Sequence, residues 1–402
     1  MSHNLSTSQA ETDSTTGTLS RPLVLLLACA CGLAAANLYY LQPLLAEISR
    51  EFGVTASELG ITATLTQFGY ALGLLFVVSL GDIRERRGLI LSSLVATAIA
   101  LVLASISPNL AILTIMSLVI GLSAVAAQVI IPMATTLARP TERGKVIGTL
   151  MTGLLCGILL ARTVSGFIGE LFGWRVMLQI AAVVMLLLAV VLRLVLPKSQ
   201  SNTKLSYLGI LRSLPSLLRE EPILREASVL GALAFACFSI FWVTLSFFLE
   251  TPPYNYGSDV AGLFGLVGVA GAFAASLIGR IADKYNPRIA TGVTLLLLLL
   301  SFVLFWLIGW WLPGLIVGVI LLDLGVQGTQ VSNQTRIYGL RPDARSRITT
   351  IYMSTYFIGG ALGSLLGGFA WETWGWSGVC SCGVILVVIA LAIYWRPKAA
   401  SR

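Results

Sequence analysis

Long apolar blocks without a single charge restrict this chain more than any other feature. Val24–Ala36, Leu89–Ile106, Ile180–Leu192 and Leu295–Ile308 contain no Asp, Glu, Lys or Arg. A helix of about 20 apolar residues crosses the roughly 30 Å hydrocarbon core of a bilayer. Inside lipid every backbone N–H and C=O needs an internal partner, which leaves helices and closed barrels. Strand-length alternation is absent, so the blocks read as helices. Only 11% of the residues are charged, against about 25% in a globular protein, too few to solvate a surface of this size. The blocks divide into twelve spans, at 22–44, 58–80, 88–106, 110–136, 145–169 and 174–196, then 224–249, 259–281, 288–308, 313–338, 347–370 and 376–395. The fold class expected is an all-α membrane protein of twelve transmembrane helices.

Residues 1–21 are polar and Ser/Thr-rich and read as a disordered tail. Leu26-Leu27-Ala28-Cys29 mimics a lipoprotein cleavage site. A signal peptide, however, has an apolar core of about 7–15 residues, and this run continues through Leu45. The six cysteines (Cys29, Cys31, Cys156, Cys237, Cys380 and Cys382) all fall inside spans, and no pair has metal-ligand spacing. They read as small buried apolar side chains, and neither a metal nor a cofactor is expected.

Loop charge sets orientation, because Lys and Arg stay on the cytoplasmic side. With the N-terminus inside, the inner loops hold Arg84, Arg86 and Arg87, then Arg139, Arg143 and Lys145, then Lys198 through Arg225, and then Arg280, Lys284 and Arg288, Arg336 through Arg347 and the C-terminal tail. Outer loops hold only Arg50 and Arg175, and Arg162 lies inside a span. Both termini are therefore expected in the cytoplasm, with the chain multi-pass in a bacterial-type inner membrane. This dispersal over alternate loops accounts for the net charge of +8 without a nucleic-acid partner.

The chain also matches itself at an offset of 202. Gln128-Val129 falls on Gln330-Val331, Arg139-Pro140 on Arg341-Pro342, Gly157 on Gly359, Gly166-Phe167 on Gly368-Phe369, Glu170 on Glu372 and Gly173-Trp174 on Gly375-Trp376. An even number of spans per copy makes the two copies parallel. Residues 22–196 and 224–395 are thus two six-helix halves. They are joined by a polar, basic cytoplasmic linker at 197–223 with room for a short surface helix, and 396–402 forms a second tail.

Between spans 2 and 3 the sequence reads Gly81-Asp82-Ile83-Arg84-Glu85-Arg86-Arg87-Gly88. Between spans 8 and 9 it reads Gly279-Arg280-Ile281-Ala282-Asp283-Lys284-Tyr285-Asn286-Pro287-Arg288. Both resemble the signature loop of the major facilitator superfamily, whose two halves are parallel repeats about an axis along the membrane normal. The resemblance implies a conformational latch made by Asp82, Arg86, Arg87, Asp283, Lys284 and Arg288. In it, a carboxylate sits against the positive N-terminus of a helix of the other half, Asp82 at span 11 and Asp283 at span 5. A solvated positive-inside loop is the plainer alternative.

Within that superfamily, residues 22–395 resemble the drug:proton antiporter-1 branch, near the arabinose-efflux-permease-like proteins. The segments that carry the likeness are Asn37-Leu38-Tyr39-Tyr40-Leu41-Gln42-Pro43, Gly157 through Thr163, Leu322 through Gln327 and Asn333-Gln334-Thr335-Arg336. Two positions depart from it. Ser117 and Ile120-Gly121 stand where drug antiporters carry Arg and Gln-Gly, and Gly157-Ile158 stands where they carry Gly-Pro.

Two ionisable residues lie deep inside spans, Arg162 in span 5 and Asp323 in span 10. A charge at the bilayer centre costs at least about 2.5–3.5 kcal/mol and needs a partner. At 1.5 Å per residue they lie roughly 12 and roughly 15 Å below the outer ends of their helices, so they can meet at one level. The expectation is an Arg162–Asp323 contact, direct or through water, that breaks when Asp323 takes a proton; a static structural pair is the alternative. Asn37, Tyr40, Gln67, Tyr70, Gln128, Gln327 and Gln330, with Phe238 and Trp242 from an aromatic stripe on span 7, are the expected cavity lining. By family analogy, spans 1, 4, 7 and 10 surround the cavity. Glycine pairs at i, i+4 on spans 2, 5 and 11, and at i, i+3 on span 8, allow close backbone approach, and these helices are expected to slide between the halves.

The function expected is secondary active export of a small organic solute, drug-like or sugar, in exchange for protons, by a protein acting as a monomer in the lipid bilayer. A proton-independent facilitator or an uptake symporter is the transport alternative. A polytopic membrane enzyme or a sensor is more remote: the single histidine, His3, lies in the tail, and no nucleophile–base pair or phosphate loop is visible.

Overall fold

The computed structural model describes residues 20–81, 83–139, 141–198, 206–268, 286–341 and 344–395, and among these every regular element is helical. In the first half lie α1 (Arg21–Ala36), a 3₁₀ turn at Gln42–Leu44, α2 (Leu45–Phe52), α3 (Ala56–Leu72) running on as a π-helix through Gly73–Val78, α4 (Arg86–Ser105), α5 (Leu110–Ser123), α6 (Ala126–Leu137), α7 (Arg143–Phe172) and α8 (Trp174–Val195). The linker holds α9 (Tyr207–Glu220). The second half holds α10 (Pro222–Glu250), α11 (Ser258–Gly268), α12 (Pro287–Ile308), α13 (Leu312–Tyr338) and α14 (Arg345–Trp395).

Nine of the described helical segments are long and apolar enough to cross a bilayer, among them α5–α6 and α3 with its π-turn taken as single segments. α14 supplies two crossings, because Gly375 (φ 60°, ψ −150°) breaks it into limbs 345–374 and 376–395. With α1 and α11, which are shorter and apolar, the crossings number twelve. The chain is an all-α membrane protein built of two parallel six-helix repeats, as the sequence pattern required.

Local chemistry accounts for the helix ends. Thr55 and Glu58 form a reciprocal box at the start of α3: the Glu58 N–H donates to Thr55 Oγ1 (3.3 Å), and the Thr55 N–H donates to Glu58 Oε2 (2.8 Å). Asn109 caps α5 and Asn286 caps α12. Gly53, at φ 64°, ends α2 in the left-handed region that glycine tolerates.

Span 1 differs from the unbroken helix expected over 22–44. Regular helix stops at Ala36, residues 37–41 form a turn, and a 3₁₀ stretch starts at Gln42 with Pro43, which has no N–H to give, as its second residue. The Asn37 amide folds back to donate to Leu33 O and Ala34 O, both at 3.0 Å, satisfying carbonyls that the break would leave open. Irregular backbone at this depth is tolerated where protein buries it, and Leu38, Tyr39, Tyr40 and Gln42 are all buried.

The glycine pairs work mainly inside each half. A Cβ at Gly153 or Gly157 would overlap Ala28 and Gly32 of α1, one at Gly69 or Gly73 would overlap α5, and one at Gly359 or Gly363 would overlap Ala232 and Ala236 of α10. Gly157 on α1 and Gly359 on α10 are the same contact in the two repeats. The stripes expected to slide between halves on spans 2, 5 and 11 instead seal neighbours of one half, because the glycine face of each helix turns toward its own bundle. Close approach between halves comes from Gly265 of span 8, against Leu159, and from two further glycine pairs, Gly166 against Gly262 and Gly60 against Gly368. These pairs are again related by the 202-residue offset.

Candidate functional site

α10 carries one side of the site. Every residue from Ala234 to Leu249 is buried. Along it, Phe235, Phe238 and Trp242 recur at three- and four-residue spacing and so share a face. Phe235 stacks on Phe238 at 5.3 Å and on Tyr356 at 4.1 Å between ring centroids.

Arg162 of α7 lies against this wall and is 1% exposed. Its guanidinium carbon sits 4.0 Å over the Trp242 ring, 4.7 Å over Tyr39 and 5.2 Å over Phe238, an arrangement favoured by the negative faces of the rings. Nε donates to Gln42 Oε1 at 2.8 Å, so the break in span 1 delivers the one hydrogen-bond acceptor that Arg162 uses. Ser165, one turn further along α7, donates to the carbonyl of Tyr40 and pins the same turn. Among the described residues, Nη1 and Nη2 have no hydrogen-bond partner, and neither has the Trp242 indole N–H.

Asp323 of α13 is 2% exposed, and its Oδ2 also lacks a hydrogen-bond partner among the described residues. It faces α11: a Cβ at Gly268 would fall 2.7 Å from that oxygen, while a Cβ at Gly265 would fall 3.0 Å from Cβ of Arg162. The Cβ of Arg162 and the Asp323 carboxylate therefore meet α11 about one helical turn apart, and the guanidinium runs on from there to Trp242 and Tyr39. They lie within each other's electrostatic reach but form no direct ion pair in this conformation. A buried charge without a counterion costs several kcal/mol, and for Arg162 the Gln42 acceptor and the three ring faces offset part of that cost.

Other cavity candidates divide between a pocket of the first half and the flanks of this centre. Asn37 and Gln67 join Gln42, Ser117, Thr62 and Thr66 around a small cavity of ≈20 Å³ inside the first half, about the size of one water. Asn37 Oδ1, Gln67 Oε1 and Ser117 Oγ all face it unpartnered. Tyr70 accepts from Gln128 Nε2 (3.2 Å) and packs edge-on against Phe357 of the other half. Tyr40 is buried in the span-1 turn. Gln330 approaches Tyr356 and Met353, and Gln327 is half-buried on α13.

Of the proposed latch, Asp82, Asp283 and Lys284 lie outside the described residues. The other three members bond within their own halves. Arg86 donates to Gly81 O and Thr136 Oγ1, both at 3.1 Å, and Arg87 donates to the Arg193 carbonyl. Arg288 faces Glu226 at 3.6 Å, which also pairs with Arg336 at 2.9 Å.

A closure that the sequence had marked only as a repeat lies on the far face, opposite the chain termini. Glu170 at the end of α7 accepts from Ser258 N–H and Oγ–H, both 3.1 Å, at the start of α11. Its repeat partner Glu372 accepts from Ser57 N–H, 3.2 Å, at the start of α3. Each half thus places a carboxylate on a helix N-terminus of the other, where the dipole favours it. Arg50 and Glu250 add an ion pair across the same face.

Two parallel six-helix repeats with buried charge in the interior, meeting through small residues, have the architecture of a membrane transporter. The model of the Major Facilitator Superfamily matches residues 27–341, and the chain belongs to that family. It is 47% identical over 378 residues to the uncharacterized transporter YgaY of Escherichia coli O157:H7, covering 94% of this chain and 96% of that one. A "probable sugar efflux transporter" of Pasteurella multocida is 24% identical over 368 residues, covering 87% and 86%. Among solved structures, the nucleoside transporter NupG superposes with a TM-score of 0.75 at 13% identity, covering 93% of this chain and 100% of that one. An inward-facing, occupied bacterial homologue of the lysosomal transporter Spinster gives 0.74 at 17% identity, covering 94% and 97%. These are transporters rather than enzymes.

Proposed function

We propose that this transporter exports a small organic solute in exchange for protons, with Asp323 as the proton-binding group and Arg162 as its switching partner. The observation that carries the reading is the pair itself: two opposite charges, almost fully buried, neighbouring yet unpaired. A proton on Asp323 removes the charge that attracts Arg162; its loss restores the attraction. Rocking of the halves about this point, with the far face opening and closing, then links proton movement to alternating access. Loop charge supports cytoplasmic termini, which makes the far face the outer one. Phe238, Trp242, Tyr40, Gln327 and Gln330 are the proposed solute contacts near the pair, and Asp82, Asp283 and Lys284 the proposed inner latch. The protein is proposed to work as a monomer.

A proton-independent facilitator is favoured by one observation, the presence of Ser117 and Ile120-Gly121 where drug antiporters carry Arg and Gln-Gly. Energised everted vesicles separate the two. A panel of sugars and lipophilic cations is added while ΔpH is followed by fluorescence, for the wild type and for Asp323→Asn. Collapse of ΔpH by a compound with the wild type alone supports exchange through Asp323. Solute movement without proton movement supports the facilitator and leaves Arg162 and Asp323 as structural.

A further inference from the structure

We propose that the solute is a zwitterion of the α-amino-acid kind, its carboxylate held by Arg162 and its ammonium by Asp323. This rests on the reading of those two residues as the central site.

The unpaired atoms dictate the class. On one side are donors only: Arg162 Nη1 and Nη2 and the Trp242 indole N–H. A guanidinium with two free nitrogens presents the fork that a carboxylate fits in two parallel hydrogen bonds. On the other side is an acceptor, Asp323 Oδ2. A simple organic anion satisfies the first group but sets its charge beside Asp323. A simple cation satisfies the second but faces Arg162. A neutral polyol can hydrogen-bond to both and neutralises neither. Only a ligand with opposite charges close together on one small frame gives each buried charge its counterion and needs no ion pair between the residues themselves. The face of α10 that adjoins Arg162, with Phe235 and Phe238, then offers an apolar wall to the rest of the molecule.

The same geometry yields the exchange. A proton and the ligand's ammonium both bind the Asp323 carboxylate and cannot bind together. Arrival of the proton releases the ammonium, and arrival of the ammonium releases the proton. Competition at one oxygen therefore produces one-for-one exchange, whereas a plain anion on Arg162 would load together with a proton and travel the same way.

The test is binding to the purified wild-type protein, read as a thermal shift with each of the twenty proteinogenic amino acids. For the tightest binder, its methyl ester (cation only) and its N-acetyl derivative (anion only) follow. At least one amino acid is expected to bind, and each single-charge derivative to bind about 10- to 100-fold more weakly, the factor for losing a charged hydrogen-bond partner. Asp323→Asn is expected to close the gap between the amino acid and its N-acetyl form, and Arg162→Gln the gap to the ester, in variants that keep the wild-type size-exclusion profile. Absence of binding by all twenty, or equal binding of the derivatives to the wild type, overturns the zwitterion. A sugar or lipophilic cation that collapses ΔpH in the vesicles, with no amino acid binding, also overturns it while leaving proton exchange intact. Failure of the amino acids that bind to move a proton in the same vesicles removes the exchange reading instead.

Discussion

Glu170 and Glu372 give the most direct test of how the far face closes. Glu170→Gln and Glu372→Gln keep the size of each side chain and remove its charge. A carboxylate at a helix N-terminus contributes about 1 kcal/mol at a partly exposed site, so the pair contributes about 2 kcal/mol to closure. A loss of that size changes a two-state ratio by about 30-fold, and each single substitution by about 5-fold. Ser246 lies on α10 four residues below Glu250 and is 2% exposed, sheltered under the closure near Arg162 and Gln42. With the six native cysteines replaced, Ser246→Cys reports opening through its labelling rate by a membrane-impermeant maleimide on intact cells. The double variant is expected to label about 30-fold faster. Glu58→Gln removes a similar cap that lies within one half and is expected to leave the rate unchanged. A double variant that labels no faster than the Glu58→Gln control refutes the reasoning that these caps hold the halves together.

Three further outcomes follow from the geometry. Gln42→Leu strips the acceptor from Arg162 Nε and is expected to cost about 2 kcal/mol, seen as a lower melting temperature in detergent, whereas an unchanged melt excludes Gln42 as a support of Arg162. Gly157→Leu drives a side chain into the backbone of Gly32 and is expected to cost about 1–3 kcal/mol or more, while Gly144→Ala, with open space around it, leaves the melt unchanged or raises it. At the far-face end of α2, burial lifts the Glu51 carboxyl, but hydrogen bonds from Arg175 and Trp174 and the Arg175 charge outweigh it and hold the group below its ordinary value. Its stabilisation is therefore complete above the unfolded value and lost as pH falls through the folded one, so the acid side of the melting profile should flatten in Glu51→Gln.

The spans and the two-fold repeat were legible because membrane burial demands long charge-free runs and because duplicated packing keeps its residues in register: Gly60–Gly368 and Gly166–Gly262 obey the same offset in space as in sequence. Arg162 and Asp323 were legible because intramembrane charge is rare. Their surroundings were not. Spacing identifies which residues share a helix face, but the rotation of that helix decides which neighbour the face meets. Asn37 and Gln67 thus turn into a small cavity of their own half, which Gln42 also lines, and the glycine stripes of spans 2, 5 and 11 seal bundles while Gly265 of span 8 lies at the seam. The break in span 1 went unread although Pro43 stands in it, and only packing shows that it hands Gln42 to Arg162. Glu170 and Glu372 stood out as a repeated pair, but helix N-termini contributed by the other half have no trace in local sequence.

The linker helix α9 has a mechanical consequence. Ile210, Leu214 and Leu217 are buried along one face. Ser213 accepts from Arg347 (3.1 Å), and Arg341 pairs with Glu220 and Glu221, so α9 is strapped to the second half. Its first residue, Tyr207, donates to the Phe76 carbonyl in the π-turn of the first (3.1 Å). The tether between the halves is thus shortened by a segment about 21 Å long that moves with one of them. A short tether holds its two ends at an effective concentration in the millimolar range. Far-face contacts worth only a few kcal/mol can then be broken in every cycle without the halves drifting apart in the bilayer.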